Sequence, residues 1–418
     1  MTAADSEILH QVRGAFGATP PDRLGVALSG GGDSVALLHL LTRCFTGAPV
    51  RLFAATVDHG LRPEAAAEAA EAGRLAEALG VPHSVLRWQG WDGGGNLQDA
   101  ARQARYRLLG GWARGQGIGT LAVGHTADDQ AETLLMRLGR ASGVAGLSGM
   151  APRRMLEEGV MLARPLLAIG RQELRAYLRR QGLSWAEDPS NLDDRFARVR
   201  ARCALEALAP LGITPTALSD VARNMARADQ ALGWAAFQAA GDLARIEAGC
   251  VVLQGRGLAL LAEEITRRLL AAAIGWIGGQ AYPPRRAPME HLLADLRQGG
   301  GGTLAGCRVL SRRGEIWICR EYNAVRDLRA APGARWDRRW LLAGAAAPGA
   351  EVGALGPEGL AQCADRAATG LPRAALEASP ALWQDGRLVA APLAGSPNGW
   401  HAILPEGEAA FRAALLSH

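Results

Sequence analysis

The apolar run Leu24-Gly-Val-Ala-Leu28 leads directly into Ser29-Gly-Gly-Gly-Asp-Ser34, and residues 34–41 continue from it with helical spacing. A strand that becomes a helix across a glycine turn constrains the fold strongly. Its neighbours pair parallel to it and are joined by crossover helices. The rest of the first 190 residues keeps this rhythm. Strands are expected at 52–57, 84–88 and 121–125, and helices at 63–79, 96–112 and from about 128 to 138. Pro63 suits a first helical turn, and Asn96 suits a cap. Four strand–helix repeats predict an α/β domain whose parallel sheet is wrapped on both faces. Ligands in such a sheet lie outside the carboxyl ends of the strands.

The glycine loop reads as a phosphate cradle. Gly30, Gly31 and Gly32 let backbone N–H groups close on phosphate oxygens. The helix start adds partial positive charge, and Ser29 and Ser34 add hydroxyls. Asp33 is the exception. A carboxylate inside an anion-binding loop is unfavourable unless a cation lies between it and the phosphates, so Asp33 is expected to help hold Mg²⁺. All 46 basic residues are arginine, and the chain has no lysine. No Walker-type lysine can touch the phosphates, and no lysine Schiff base can form. Arginine forks carry the cationic work, and their geometry suits phosphate oxygens.

Composition excludes other classes. The 418 residues suffice for two or three domains, and 49% hydrophobic with 21% charged residues is the balance of a globular chain. No apolar run reaches the roughly 18 residues of a membrane span. The start, Met-Thr-Ala-Ala-Asp-Ser-Glu, has neither the basic region nor the apolar core of a secretory signal, so a cytoplasmic enzyme is expected. None of the six cysteines lies within four residues of another, which gives no C-x-x-C or zinc spacing and predicts reduced thiols. The net charge of +5 permits a polyanionic partner without requiring one.

Three further motifs fall at or just after the strand ends. Val57-Asp-His-Gly-Leu61 closes the second strand. Asn96-Leu-Gln-Asp-Ala-Ala-Arg-Gln-Ala-Arg-Tyr106 sets Arg102 and Arg105 three apart on one helix face. Gly124-His-Thr-Ala-Asp-Asp-Gln-Ala-Glu-Thr133 places Asp128 and Asp129 at a strand–helix junction and runs on to Ser142-Gly-Val-Ala-Gly-Leu-Ser-Gly-Met150. A helix cap would account for Asp128, but explains one carboxylate better than two.

The lysine-free form S-G-G-x-D-S resembles the PP-loop of the ATP pyrophosphatases, which cleave ATP after the α-phosphate. Together the four motifs resemble the tRNA(Ile)-lysidine synthase family. The likeness continues through Arg164-Pro-Leu-Leu167, Arg171-Gln-Glu-Leu174 and Trp185-Ala-Glu-Asp-Pro-Ser-Asn191. It covers residues 20–205, with weaker similarity at 382–383 and 388–392. It departs at Val199, where the family often has Asn between arginines.

The resemblance implies an adenine nucleotide α-hydrolase-like fold and a specific reaction. ATP adenylates the C2 oxygen of the wobble cytidine in tRNA(Ile) with a CAU anticodon, releasing diphosphate. The ε-amine of L-lysine then displaces AMP to form lysidine, which changes the codon and amino-acid specificity of the tRNA. ATP and Mg²⁺ are the implied cofactors, held by Ser29, Gly30, Gly31, Gly32, Asp33 and Ser34. A free lysine ammonium has a pKa of about 10.4 and must lose a proton before it attacks. Asp128 or Asp129 could take that proton, and Arg105 could neutralise the α-phosphate. Arg195, Arg198, Arg200 and Arg202 could contact tRNA phosphates.

A tRNA thiolase would call for a cysteine pair or a nucleophilic cysteine near the ATP site, and an amidotransferase-type ligase for a glutaminase domain or an ammonia source. The intact Asp33 argues against a relic nucleotide-binding module.

Beyond residue 200 the pattern is mainly helical to 297, with one helix expected over 258–277 and a short strand at 251–253. Residues 299–302 read as a loop, 303–320 as a hairpin turning at Arg313-Gly314, and 330–334 as a linker. The expected division is a catalytic domain at 1–195, a mainly helical tRNA-binding region at 196–330 and a small α+β domain at 331–418, which also contacts tRNA. Oligomeric state is not legible.

Overall fold

The computed structural model describes residues 2–60, 65–89, 97–186, 197–280, 284–345 and 348–416. Pro63, Asn96, Arg195 and residues 187–191 of the Trp185–Asn191 motif lie outside the described residues. The chain forms two compact units, Met1–Asp229 and Gln230–His418.

The first unit runs α1 (Ala3–Gly14), β1 (Arg23–Ala27), α2 (Gly32–Cys44), β2 (Arg51–Asp58), α3 (Ala65–Ala78), β3 (His83–Arg87), α4 (Leu97–Gly115), β4 (Thr120–Ala122) and α5 (Ala127–Leu138). It continues with α6 (Val144–Leu147), β5 (Arg153–Glu157), β6 (Val160–Ala163), α7 (Arg171–Arg180), α8 (Ala197–Leu208) and the start of α9 (Pro215–Leu243). Its six-stranded sheet has the order β3-β2-β1-β4-β6-β5. All neighbours pair parallel except β5, which runs antiparallel to β6.

The α/β wrapping expected from the sequence is present. Successive residues of a strand point to opposite faces. Leu24, Val26 and Leu28 pack against α1, α2, α3 and α7, while Ala27 faces the α4 side with Leu109 and Ala113. In α2, Leu37, Leu38, Leu40 and Leu41 are fully buried, each contributing about 2 kcal/mol relative to exposure. Asp5 ties α1 to α7. Its Oδ1 accepts from Arg180 Nη2 at 2.7 Å, and its Oδ2 accepts from Thr2 N, within a capping box.

The β5–β6 pair extends beyond the four strands expected from the sequence. The order reverses at β1: α2 carries the chain to β2 on one side, and β4 returns on the other. This is the crevice where such sheets bind ligands.

In the second unit, α9 leads to β7 (Ala244–Glu247), β8 (Cys250–Gln254), α10 (Gly255–Ala259), α11 (Glu263–Gly278), α12 (Arg286–Arg297), β9 (Gly301–Leu304), β10 (Cys307–Arg312) and β11 (Glu315–Arg320). Smaller sheets follow, built from β12 (Leu341–Ala343), β13 (Ala350–Ala354), β14 (Pro380–Gln384), β15 (Arg387–Ala390) and β16 (His401–Ile403).

Three sequence expectations change here. Residues 258–277 do not form one helix. They break at Leu260, which is exposed, and α11 restarts with Glu263 and Glu264 on its positive end. The hairpin at Arg313-Gly314 exists, with both residues at positive φ, but Gly301 and Gly302 belong to β9 rather than to a loop. The resulting meander joins β7 and β8 in a five-stranded sheet. Ala330 is not free linker, because it exchanges backbone hydrogen bonds with Val352.

Candidate active site

The glycine loop sits between the end of β1 and the start of α2. Gly31 caps α2, and Gly30 has a φ of +81°, a left-handed conformation that side chains disfavour. Ser34 is buried. Its Oγ donates to Gly31 O at 2.9 Å and accepts from Ser29 N and Ser29 Oγ, both at 3.1 Å. Ser34 therefore braces the loop, and its one proton points inward. The donors that the loop can still offer are backbone N–H groups at the start of α2. Ala186 N donates to Gly30 O at 3.0 Å, laying the Trp185–Ala186 segment along the loop. Just after β4, a Cβ on Gly124 would stand 3.0 Å from the Asp33 carbonyl, so glycine lets this turn close up on the start of α2.

Arg171, the first residue of α7, joins the loop to α5. Its Nε donates to Asp33 Oδ2 at 3.1 Å and its Nη2 to Asp129 Oδ1 at 3.4 Å, while Nη1 lies 3.7 Å from Glu132 Oε1. Its backbone N–H donates to Asp128 Oδ2 at 2.7 Å. Asp129 Oδ2 accepts from Thr126 N and Oγ1 at the start of α5. The capping expected of Asp128 on its own helix thus belongs to Asp129, while Asp128 caps α7.

Glu132 is 1% exposed and also pairs with Arg202 at 3.0 Å. Arg202, 31% exposed at its side chain, thus spends part of its guanidinium fork on Glu132. Arg198 and Arg200 remain on α8, and Val199 packs inward from the same helix, an apolar contact where an amide was expected.

The charge balance is negative. Burial raises the Asp33 carboxyl above its ordinary range, against Arg171 and with help from Asp129 and Asp128. Burial likewise raises Glu132, with Asp129 adding to it and Arg202 and Arg171 opposing. Burial works against the charge of Arg171, but Asp33, Asp129, Glu132 and Asp128 together push its pKa upward.

On the other side of the loop lies a cavity of about 370 Å³, within the usual range for a small-ligand site. Its walls include Ser29, Gly31, Thr56, His59, Glu68 and Arg105. Arg105 is half-buried, and burial lowers its pKa; it has no hydrogen-bond or ion-pair partner among the described residues. The structure thus brings the loop and Arg105 to one cavity, and links the loop through Asp33 to Asp128 and Asp129.

Sequence reasoning missed Arg171, Glu132 and Thr126 as members of the site. Glu132 falls three residues after Asp129 on α5, a spacing that signals a shared face. Arg171 stood in a recognised motif with no sign of its partners.

The PP-loop domain family, an ATP-using fold, matches residues 4–208. A tRNA(Ile)-lysidine synthase from Ruegeria pomeroyi is 54% identical over the whole of both chains. The chain belongs to the tRNA(Ile)-lysidine synthase family. A second member, from Methylobacterium nodulans, is 47% identical over 64% of this chain and 79% of its own length. Among solved structures, a U34-tRNA thiolase from Methanococcus maripaludis overlays with a TM-score of 0.47 at 19% identity, covering 54% of this chain and 79% of that one. The lysidine synthase relatives extend over the second unit as well as the PP-loop domain.

Proposed function

We propose that this chain ligates L-lysine to C2 of the wobble cytidine in tRNA(Ile) with a CAU anticodon, using ATP and releasing AMP and diphosphate. One observation carries the reading: Arg171 couples Asp33 of the phosphate loop to Asp129 and Glu132 of α5. Phosphate cradle and acidic face therefore form one site, as a two-step reaction needs.

In the first step the cytosine C2 oxygen attacks the α-phosphorus and diphosphate leaves. The loop's N–H groups hold the β- and γ-phosphates, and Arg105 neutralises the α-phosphate from the cavity wall. No three acid, imidazole or thiol groups gather into a metal cage among the described residues. A lone Asp33 beside the cradle fits Mg²⁺, which takes one or two carboxylates and completes its shell with phosphate oxygens and water. Bound there, the ion would offset charge developing on diphosphate.

In the second step the lysine nitrogen bonds to C2, and AMP leaves with the former C2 oxygen. The acidic face attracts the ammonium. Asp128 Oδ1 has no partner among the described residues, which supports a reading in which Asp128 takes the proton and Asp129 orients the amine. Residues 1–195 would carry the chemistry, and 196–330 and 331–418 would hold the tRNA body. No helix among the described residues is long and apolar enough to cross a membrane, which suits action in the cytoplasm.

The test is stepwise. With ATP, Mg²⁺ and tRNA(Ile) but no lysine, diphosphate should appear and adenylated tRNA should accumulate; adding lysine should then release AMP. Diphosphate release that ignores tRNA would contradict the reading.

A further inference from the structure

Four arginines gather at the carboxyl end of the sheet. Because β5 is antiparallel, its start lies beside the end of β6, with Arg154 opposite Leu162. Arg164 follows β6 directly, and Arg102 and Arg105 come from α4. The Arg154 and Arg102 guanidinium carbons lie 5.1 and 5.4 Å from the centre of the Tyr106 ring. Tyr106 also lies close enough to Arg164 to favour its charged form. Arg164 is buried; its Nε donates to His125 Nδ1 at 3.1 Å and its Nη1 to Ala151 O at 2.5 Å.

An imidazole that accepts at Nδ1 is neutral, and burial keeps His125 so, reinforced by Arg164, Arg105 and Arg102 against Asp129. None of the four arginines has a carboxylate ion pair among the described residues. Arg171, Arg180 and Arg202 in the same unit all have one.

Crowded guanidiniums repel. Cation–π contacts with Tyr106 offset only about 0.5–1 kcal/mol each at exposed sites. The arrangement lacks an anion. ATP is a poor candidate, because the cavity beside the loop is lined by Arg105 but not by Arg102, Arg154 or Tyr106. Arg102 is exposed and Arg154 half-exposed, and neither lines that cavity.

We propose that Arg102 and Arg154, spread over the Tyr106 ring, bind backbone phosphates of the RNA substrate beside the reacting nucleotide. Arg164 and the neutral His125 set the ring and its cations in place. This rests on the reading of an RNA substrate given above.

The test measures tRNA(Ile) binding against salt, ATP binding, and steady-state kinetics for Arg102→Gln and Arg154→Gln. Arg153→Gln is the charge control, since that neighbouring side chain donates to Ala15 O. Each of the first two should weaken tRNA binding about 5- to 10-fold and flatten the log–log salt slope by about 1. ATP affinity, and kcat at saturating tRNA, should hold, and the control should leave all of these unchanged. Unchanged tRNA binding in both variants would overturn the proposal, as would a loss of ATP affinity or an equal effect in the control. If the unmodified protein bound no tRNA, the underlying reading would fail first.

Discussion

Asp337 in the second unit and Asp33 in the first each meet arginine side chains, but the two networks close to different degrees. Asp337 is 2% exposed at its side chain and accepts from Arg320 Nε and from Arg339 Nε and Nη2. Further guanidinium donors go to Gly306 O and Gly249 O, both at 2.9 Å. Cations outnumber the anion there, and backbone carbonyls absorb the excess. Around Asp33 the ratio is reversed: one guanidinium serves Asp33, Asp129 and Glu132, and Asp33 is 25% exposed. A closed network holds a fold together. An open one with surplus negative charge holds a shape ready for a cation.

The largest effects should separate the two. Asp337→Ala leaves two arginines without their buried partner and should cost about 3–5 kcal/mol, read as a lower urea midpoint. Asp33→Ala should do the reverse. Removing a carboxylate whose pKa is raised by burial should leave the thermal midpoint equal or higher. Diphosphate release should nevertheless fall about 10³-fold, or about 4 kcal/mol of transition-state stabilisation. If Asp33→Ala unfolded the protein instead, the contrast would be lost.

Arg171→Gln probes the link itself. It should lower kcat about 10²-fold. Arg171→Lys should recover only part, because a single ammonium cannot serve three carboxylates with a planar fork. Full activity in the Gln variant would show that Arg171 does not organise the site.

The smallest effect concerns Asp5, whose carboxyl Arg180 holds below its ordinary range against burial. Asp5→Ala should cost about 1–2 kcal/mol of stability. A lowered folded pKa gives stability that is full above the unfolded value of 3.8 and lost as pH falls through the folded one. The gap between parent and variant, followed by urea melts, should therefore be constant near neutral pH and close below about pH 4. A gap unchanged at low pH would count against the pair.

The strand–helix alternation was readable because buried parallel strands write continuous apolar runs and their crossover helices write a 3.6-residue period. The β5–β6 pair was not: both strands are short, and the edge strand β5 carries Arg153, Arg154 and Glu157, so it looks like loop. The phosphate loop is contiguous, so its residues were legible together. The acidic network is not. Arg171 meets Asp33 across 138 positions of sequence, and no local pattern records that meeting. Likewise, Arg202 and Arg102 look alike on their helices. Only the fold shows that one pairs with Glu132 while the other is exposed, with no carboxylate partner among the described residues.

The most direct test of the central claim is transfer of labelled lysine. The protein is incubated with ATP, Mg²⁺ and labelled L-lysine, and with either tRNA(Ile) bearing the CAU anticodon or tRNA(Met). The account predicts label in tRNA(Ile) alone, at the wobble cytidine, with one AMP released per lysine joined, and none with Asp33→Ala. Label in neither tRNA, or transfer that survives the loss of Asp33, would contradict it.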